Sequence, residues 1–127
     1  MKQLLQRLDT GESILVEAPV PSASGHQLVV ETRVSAISAG TERMLVEFGR
    51  GSLLAKARSQ PEKIRQVLEK VRTDGLMATL EAVRAKLEAP IPLGYCQAGV
   101  VVEVGPMVGG FRPGDRVVTN GPHAEYV

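Results

Sequence analysis

The sequence predicts a mainly β domain with an inserted α-helical segment over about residues 52–89. Apolar residues alternate with period two over 26–38 and over 100–104, which indicates strands with at least one buried face. Between these strands, apolar residues recur at the spacing of amphipathic helices. A chain of 127 residues is long enough for one such domain to bury a core.

Composition limits the core and the classes of partner. Hydrophobic residues make up 43% of the chain but aromatic residues only 3%, so we expect an aliphatic core. The net charge of +1 argues against nucleic acid or a membrane as a partner. The single Cys96 excludes an internal disulfide framework, and no apolar leader or membrane-length stretch occurs. A cytoplasmic location is therefore expected.

The N-terminal third of the chain is predicted to form three strands. Residues 1–8 form the first strand, 9–11 its hairpin turn and 12–18 the return strand. A proline-containing loop over 19–25 leads to a long strand over 26–38. One face of that strand is expected to carry Leu28, Val30, Thr32, Val34 and Ala36.

The middle of the chain is predicted to be helical. A short helix over 42–48 would begin with Thr41 as N-cap and stop at Gly49. A second helix opens at Pro61, since proline is tolerated in a first helical turn. Asp74-Gly75 ends it, and a further helix runs to the residue before Pro90. The apolar stripes of these two helices consist of Ile64, Val67, Leu68, Val71, Leu76, Leu80, Val83 and Leu87.

The stretch over 91–118, IPLGYCQAGVVVEVGPMVGGFRPGDRVV, is predicted to hold two strands joined by a glycine-rich connection. The first strand ends at Gly105. Arg112-Pro113-Gly114-Asp115 fits a type II turn, because proline suits its second position and glycine accepts positive φ at its third. The second strand starts at Arg116, and another begins at His123.

The same stretch resembles the N-terminal domain of the medium-chain dehydrogenase/reductases, the zinc alcohol dehydrogenase superfamily. The likeness lies in G-Y-C-Q-A-G-V-V-V-E-V-G followed by V-G-G-F-R-P-G-D-R-V, and in V-S-A-I-S-A-G-T-E over 34–42. The resemblance implies a GroES-like, partly open β-barrel over 1–127, with 52–89 as a helical insertion. It also implies that the chain is part of a longer protein whose nucleotide-binding Rossmann domain lies elsewhere.

The resemblance implies a zinc-independent enzyme. Zinc members of the family place a Cys ligand where this chain has Ala39, and a His ligand where it has Tyr95. Alanine cannot bind a metal and neutral tyrosine is a poor ligand, so we expect no zinc. Gly49-Arg50-Gly51 begins like a dinucleotide fingerprint, but Leu54 occupies the third glycine position. NAD(P) is therefore expected to bind to the Rossmann domain of the full-length protein.

Three residues, Thr41, Glu42 and Tyr95, match family positions that line the substrate cleft. Tyr95 and Thr41 are predicted to be catalytic, with Tyr95 polarising or protonating a substrate oxygen. Glu42 and Cys96 are predicted to bind substrate. Purely structural interpretations remain open: Tyr95 packs in the barrel, Thr41 and Glu42 cap a helix, and Cys96 is a small buried apolar residue.

The resemblance thus implies the substrate-binding, catalytic domain of an NAD(P)-dependent oxidoreductase acting on an alcohol or carbonyl compound. A narrower similarity, A-G-T-E-R-M-L-V-E-F-G with the long insertion, is to bacterial bi-domain oxidoreductases of sugar or polysaccharide biosynthesis. The alternative is a stand-alone GroES-like barrel that binds a protein partner. A reading frame that continues past Val127 into G-x-G-x-x-G favours the enzyme, and a stop codon there favours the alternative.

Residues 50–72 are locally basic, with seven Lys or Arg residues against Glu62 and Glu69. A nucleic-acid site is one interpretation, but aromatic stacking residues are missing. A solvated helical face and a site for an anionic substrate or charged polymer are the others, and the solvated face is favoured.

Overall fold

A computed structural model describes residues 1–127. The elements follow in the order β1 (Lys2–Gln6), β2 (Ser13–Glu17), β3 (Leu28–Ser35), α1 (Thr41–Arg50), α2 (Leu53–Ser59), α3 (Pro61–Asp74), α4 (Leu76–Glu88), β4 (Ile91–Pro92), β5 (Gln97–Val104) and β6 (Arg116–Thr119). About 35% of residues are helical and 27% are extended. The prediction of a mainly β chain with a helical insertion is therefore confirmed only in part, because α1 is longer than predicted and 52–89 forms three helices.

The chain divides into two compact units. The first, here called the β unit, comprises Met1–Leu5, Ile14–Glu42 and Pro92–Val127. The second, called the helical unit, comprises Gln6–Ser13 and Arg43–Ile91. No helix has both the length and the apolar run that crossing a bilayer requires.

The strands form two three-stranded sheets, ordered β2-β1-β4 and β3-β5-β6. The last residues of the chain connect them, since Ala124 bridges to Gln3 of β1 and Tyr126 bridges to Glu31 of β3. The sheets do not close on each other. The arrangement is consistent with a GroES-like domain, and the barrel prediction is supported only in part.

The core of the β unit is aliphatic, as the composition predicts. Val30 and Val101 are register partners on β3 and β5, and they are 2% and 1% exposed. Val29 and Leu93 are also buried. The polar side chain of Gln97 is buried as well, at 2% exposed, and it accepts a hydrogen bond from the hydroxyl of Thr32. Periodicity did not predict a buried glutamine on β5.

The predicted one-sided face of β3 is wrong at one end. Register irregularities interrupt the pairing with β5 between Val29 and Val30 and between Thr32 and Val34. Val29 and Val30 are both buried at the first irregularity, and Val34 is 65% exposed after the second, where Arg33 is the extra residue on β3. A bulge adds a residue and shifts the alternation by one, so a strict period of two fails across it.

The turn before β6 is confirmed. The amide of Asp115 donates to the carbonyl of Arg112 over 3.1 Å, and Gly114 has a φ of 97°. Positive φ at the third position is the feature that requires glycine in a type II turn.

The helical unit has the breaks that the sequence predicts. Pro61 lies in the first turn of α3, and Gly75 with φ 87° separates α3 from α4. These helices bury few side chains: α2 buries Lys56, α4 buries Thr79 and α3 buries none. Their formation therefore depends more on local signals than on a deep apolar interface.

Candidate functional site

The start of α1 positions two of the predicted site residues. Thr41 is the first helical residue rather than the N-cap. Its amide donates to the hydroxyl of Ser38 over 3.3 Å, so the capping oxygen comes from Ser38. The predicted cap fails because the preceding loop folds back one helical turn earlier, where the Glu42 amide donates to the Ser38 carbonyl over 3.0 Å.

Glu42 forms a buried pair with His123. Nε2 of His123 lies 3.1 Å from Oε2 of Glu42, and the two side chains are only 11% and 9% exposed. The other carboxylate oxygen, Oε1, accepts the amide of Ser38 over 3.0 Å. Both carboxylate oxygens of Glu42 therefore have a hydrogen-bond partner. Glu42 and His123 are 81 positions apart in the chain.

The environment favours the ionised form of Glu42. Burial raises the pKa of its carboxyl, but the hydrogen bonds from the Ser38 amide and from His123, together with the charge of His123, outweigh burial and lower the pKa below its ordinary value. A carboxylate only accepts hydrogen bonds, so Nε2 of His123 carries the proton of this contact. Nδ1 of His123 is buried and has no hydrogen-bond partner.

The backbone of His123 is anchored on both sides. Its amide donates to the carbonyl of Leu93 over 2.7 Å, and its carbonyl accepts the amide of Leu4 over 2.8 Å. The ring also contacts Gly94, where a β-carbon would come within 2.7 to 2.8 Å of three ring carbons. Gly94 has a φ of 91°, so both its conformation and the nearby ring require glycine at this position.

The remaining predicted site residues adjoin either Glu42 or Gly94, which contacts the ring of His123. Tyr95 and Cys96 follow Gly94 directly, and Thr41 precedes Glu42. Tyr95 is 48% exposed, so its side chain is open to a ligand. Cys96 is a free, half-buried thiol, and its carbonyl accepts the amide of Ala36 over 2.9 Å. The catalytic and substrate-binding roles assigned to these residues stay predictions.

His123 is the residue that sequence reasoning missed. It follows Pro122 ahead of the last bridging segment, and nothing in the linear sequence links it to Glu42. The one local indication is Gly94, since a glycine can mark a position where another side chain packs against the backbone. A glycine does not indicate which side chain that is.

Two surface grooves lie away from these residues. One, of about 380 Å³, runs along the sheet formed by β3, β5 and β6. Its lining consists of Arg33, Ala98, Gly99, Val100, Arg116, Val117 and Val118. The other, of about 270 Å³, is lined by Glu31, Thr32, Glu125 and Tyr126. We give more weight to the buried pair, because both grooves are shallow surface features without a convergent polar group from the predicted set.

The expectations that this chain binds no zinc and holds no dinucleotide stay predictions. No three His, Cys, Asp or Glu side chains come together as a group that could hold a metal ion. Gly49 lies inside α1 and Gly51 directly after it, not in a turn between a strand and a helix. A β-carbon at Gly49 would lie 2.7 Å from Gly11, so this glycine serves packing within the helical unit.

Comparison with known families is consistent with this arrangement. Residues 64–126 match the family model described as the alcohol dehydrogenase GroES-like domain. The match begins within α3 and runs through β4, β5 and β6 to the bridging segment, so it includes Gly94, Tyr95 and His123. No curated protein matches the chain.

Proposed function

This chain carries a GroES-like domain of the alcohol dehydrogenase family, and from that premise we propose that it is the substrate-binding, catalytic domain of an oxidoreductase. The enzyme is NAD(P)-dependent and zinc-independent, and it acts on an alcohol or carbonyl compound. The family match over 64–126 is the observation that carries this proposal. The match includes Tyr95, and the sequence resemblance implies that Tyr95 occupies a position where zinc members of the family have a ligand.

Tyr95 and Thr41 are the proposed catalytic residues. Tyr95 is half-exposed, and a phenol can donate a hydrogen bond to a substrate oxygen or supply its proton. Thr41 is exposed at the first turn of α1, where the positive end of the helix dipole favours a developing negative charge. Glu42 and Cys96 are proposed to complete the substrate site from the two adjoining segments.

The cofactor belongs to another part of the protein in this proposal. No segment of the chain offers a pyrophosphate cradle, so NAD(P) binds to a Rossmann domain of the same protein, which brings the nicotinamide to the substrate. The substrate is sugar-derived, in sugar or polysaccharide biosynthesis, following the narrower similarity of 39–49. The location is cytoplasmic, which suits the free thiol of Cys96.

The second candidate is a stand-alone protein-interaction module. Its specific support is the exposure of large apolar side chains on the β unit: Val34 is 65%, Ile37 78% and Val118 75% exposed. Scattered exposed apolar residues are common on monomeric proteins, but clustered ones mark contact surfaces.

Calorimetric titration with NAD(H) and NADP(H) tests the enzyme proposal. The 127-residue chain should not bind either at micromolar concentration, and the protein extended along its natural reading frame should. In the extended protein, Tyr95→Phe should lower kcat on the order of 100-fold with little change in cofactor affinity. Tyr126→Phe is the matched control, because it removes the other tyrosine hydroxyl of the chain.

Micromolar NAD(P) binding by the chain alone would contradict the proposed division of roles. Unchanged turnover of Tyr95→Phe would remove Tyr95 from the mechanism. A reading frame that stops at Val127 would favour the interaction module.

A further inference from the structure

We propose that Glu42 and His123 form a positioning pair, which holds the start of α1, at Thr41 and Glu42, and the loop at Gly94 in a fixed relation and thereby orients Thr41 and Tyr95. The catalytic meaning of this coupling rests on the function proposed above. The coupling itself is a property of this chain and can be measured without substrate or cofactor.

His123 joins three separate segments of the β unit. Its backbone amide and carbonyl bind Leu93 and Leu4 over 2.7 and 2.8 Å. Its side chain reaches the carboxylate of Glu42 at 3.1 Å. A displacement of His123 must therefore disturb at least one of these contacts, because each lies at ordinary hydrogen-bond length.

The contact between the His123 ring and Gly94 restricts the backbone next to Tyr95. A β-carbon at Gly94 would lie 2.7 to 2.8 Å from Cγ, Cδ2 and Cε1 of His123, so the backbone of Gly94 is packed against the imidazole. Tyr95 is the next residue. Close packing of this kind leaves the ring and the peptide little independent movement.

Glu42 restricts the position of Thr41 through hydrogen bonds to Ser38. Its Oε1 accepts the Ser38 amide over 3.0 Å, and the Ser38 hydroxyl in turn accepts the Thr41 amide over 3.3 Å. The loop before α1 is therefore closed by the same carboxylate that binds His123. Loss of that carboxylate should loosen both ends of the connection.

Packing alone does not account for a histidine here. Nδ1 of His123 is buried without a partner, and an unpaired buried polar atom costs free energy. An apolar side chain of similar size would fill the space without that cost. The directional contact from Nε2 to Glu42 is what the histidine provides and an apolar side chain lacks, and direction is the property that positioning requires.

The experiment changes one residue of the pair and records the NMR signal of the proposed catalytic residue on the other side of the Glu42–His123 contact. Glu42→Gln is read at Tyr95, and His123→Gln is read at Thr41, by the backbone amide signals of the ¹⁵N-labelled chain. Tyr95 is also read by fluorescence in a Tyr126→Phe background, since the chain contains two Tyr and no Trp. Glu103→Gln, which removes an exposed carboxylate of the same unit, is the matched control.

We expect Glu42→Gln to shift the Tyr95 amide signal and change its tyrosine emission, and His123→Gln to shift the Thr41 amide signal, with Glu103→Gln changing neither. Glu42→Asp keeps the charge but is one methylene shorter, so the Tyr95 signal should shift in the same direction by a smaller amount. It supplies the measurement if Glu42→Gln does not fold.

Variants that lower the melting temperature but leave both remote signals in place would overturn the proposal, because the pair would then be only a stabilising contact. Failure of this test leaves the family-based oxidoreductase proposal intact. Conversely, absence of NAD(P) binding by the extended protein would leave the proposed coupling of Glu42 and His123 intact.

Discussion

The imidazole of His123 packs directly against the α-carbon of Gly94, with no room for a β-carbon between them. The residue after this contact is Tyr95, and the hydrogen-bond partner of the same imidazole is Glu42. Tyr95 and Glu42, which belong to different sequence motifs, are thus connected through one ring.

Replacing Gly94 by alanine should destabilise the chain through two effects. The φ of 91° is strained for alanine, which costs about 1–3 kcal/mol, and the contact with the ring adds about 1–3 kcal/mol. Urea denaturation measures the total loss in the free energy of unfolding. Gly110→Ala is the control for the first effect, because Gly110 has a φ of 83° and a β-carbon there would meet nothing within 4 Å. If Gly94→Ala and Gly110→Ala lose the same free energy of unfolding, the ring of His123 does not constrain Gly94.

Glu42→Gln should lower the free energy of unfolding at neutral pH by about 1–3 kcal/mol, since a buried charge-assisted contact is weakened. The pKa of Glu42 is lowered in the folded chain, so its contribution is complete above the unfolded pKa of a glutamate. It is lost as the pH falls through the lower folded value. Denaturation midpoints measured from about pH 7 down to about pH 3 should therefore converge for the two proteins on the acid side. Parallel curves would contradict this assignment.

Deleting residues 53–89 and joining the ends with a short flexible linker should leave the β unit folded. The deleted helices bury only Lys56 and Thr79, so little buried apolar surface is lost. The measurement is the retention of dispersed amide signals from β3 and β5. Matched removal of β6, which pairs with β5 along Gln97–Val100, should unfold the unit. Collapse of the spectrum after the helical deletion would show that the helices are required for the core.

The purified chain should retain no stoichiometric zinc after incubation with zinc and dialysis. The side chain of Ala39 supplies no ligand atom, and a tyrosine phenol is a poor zinc ligand. Elemental analysis measures the ratio, with a zinc-binding protein of similar size carried through the same dialysis. A value near one zinc per chain would contradict the prediction.

Local breaks and turns could be predicted from the amino-acid sequence alone. Pro61, Gly75 and the Pro113-Gly114 pair all act through their own φ values, and the structure has a helix start, a helix break and a turn at these places. The aliphatic core also followed from composition. These features are predictable because a few consecutive residues carry the whole physical cause.

The buried face of β3 and the side chains that meet at the site depend instead on the folded chain. The irregular register with β5 leaves Val34 exposed, since strand pairing rather than sequence alternation sets the direction of each side chain. The pairing of Glu42 with His123 across 81 positions likewise depends on how the bridging segment lies against Leu4 and Leu93. A contact of this kind leaves no period or spacing in the chain, because its partners are brought together by the fold and not by their neighbours.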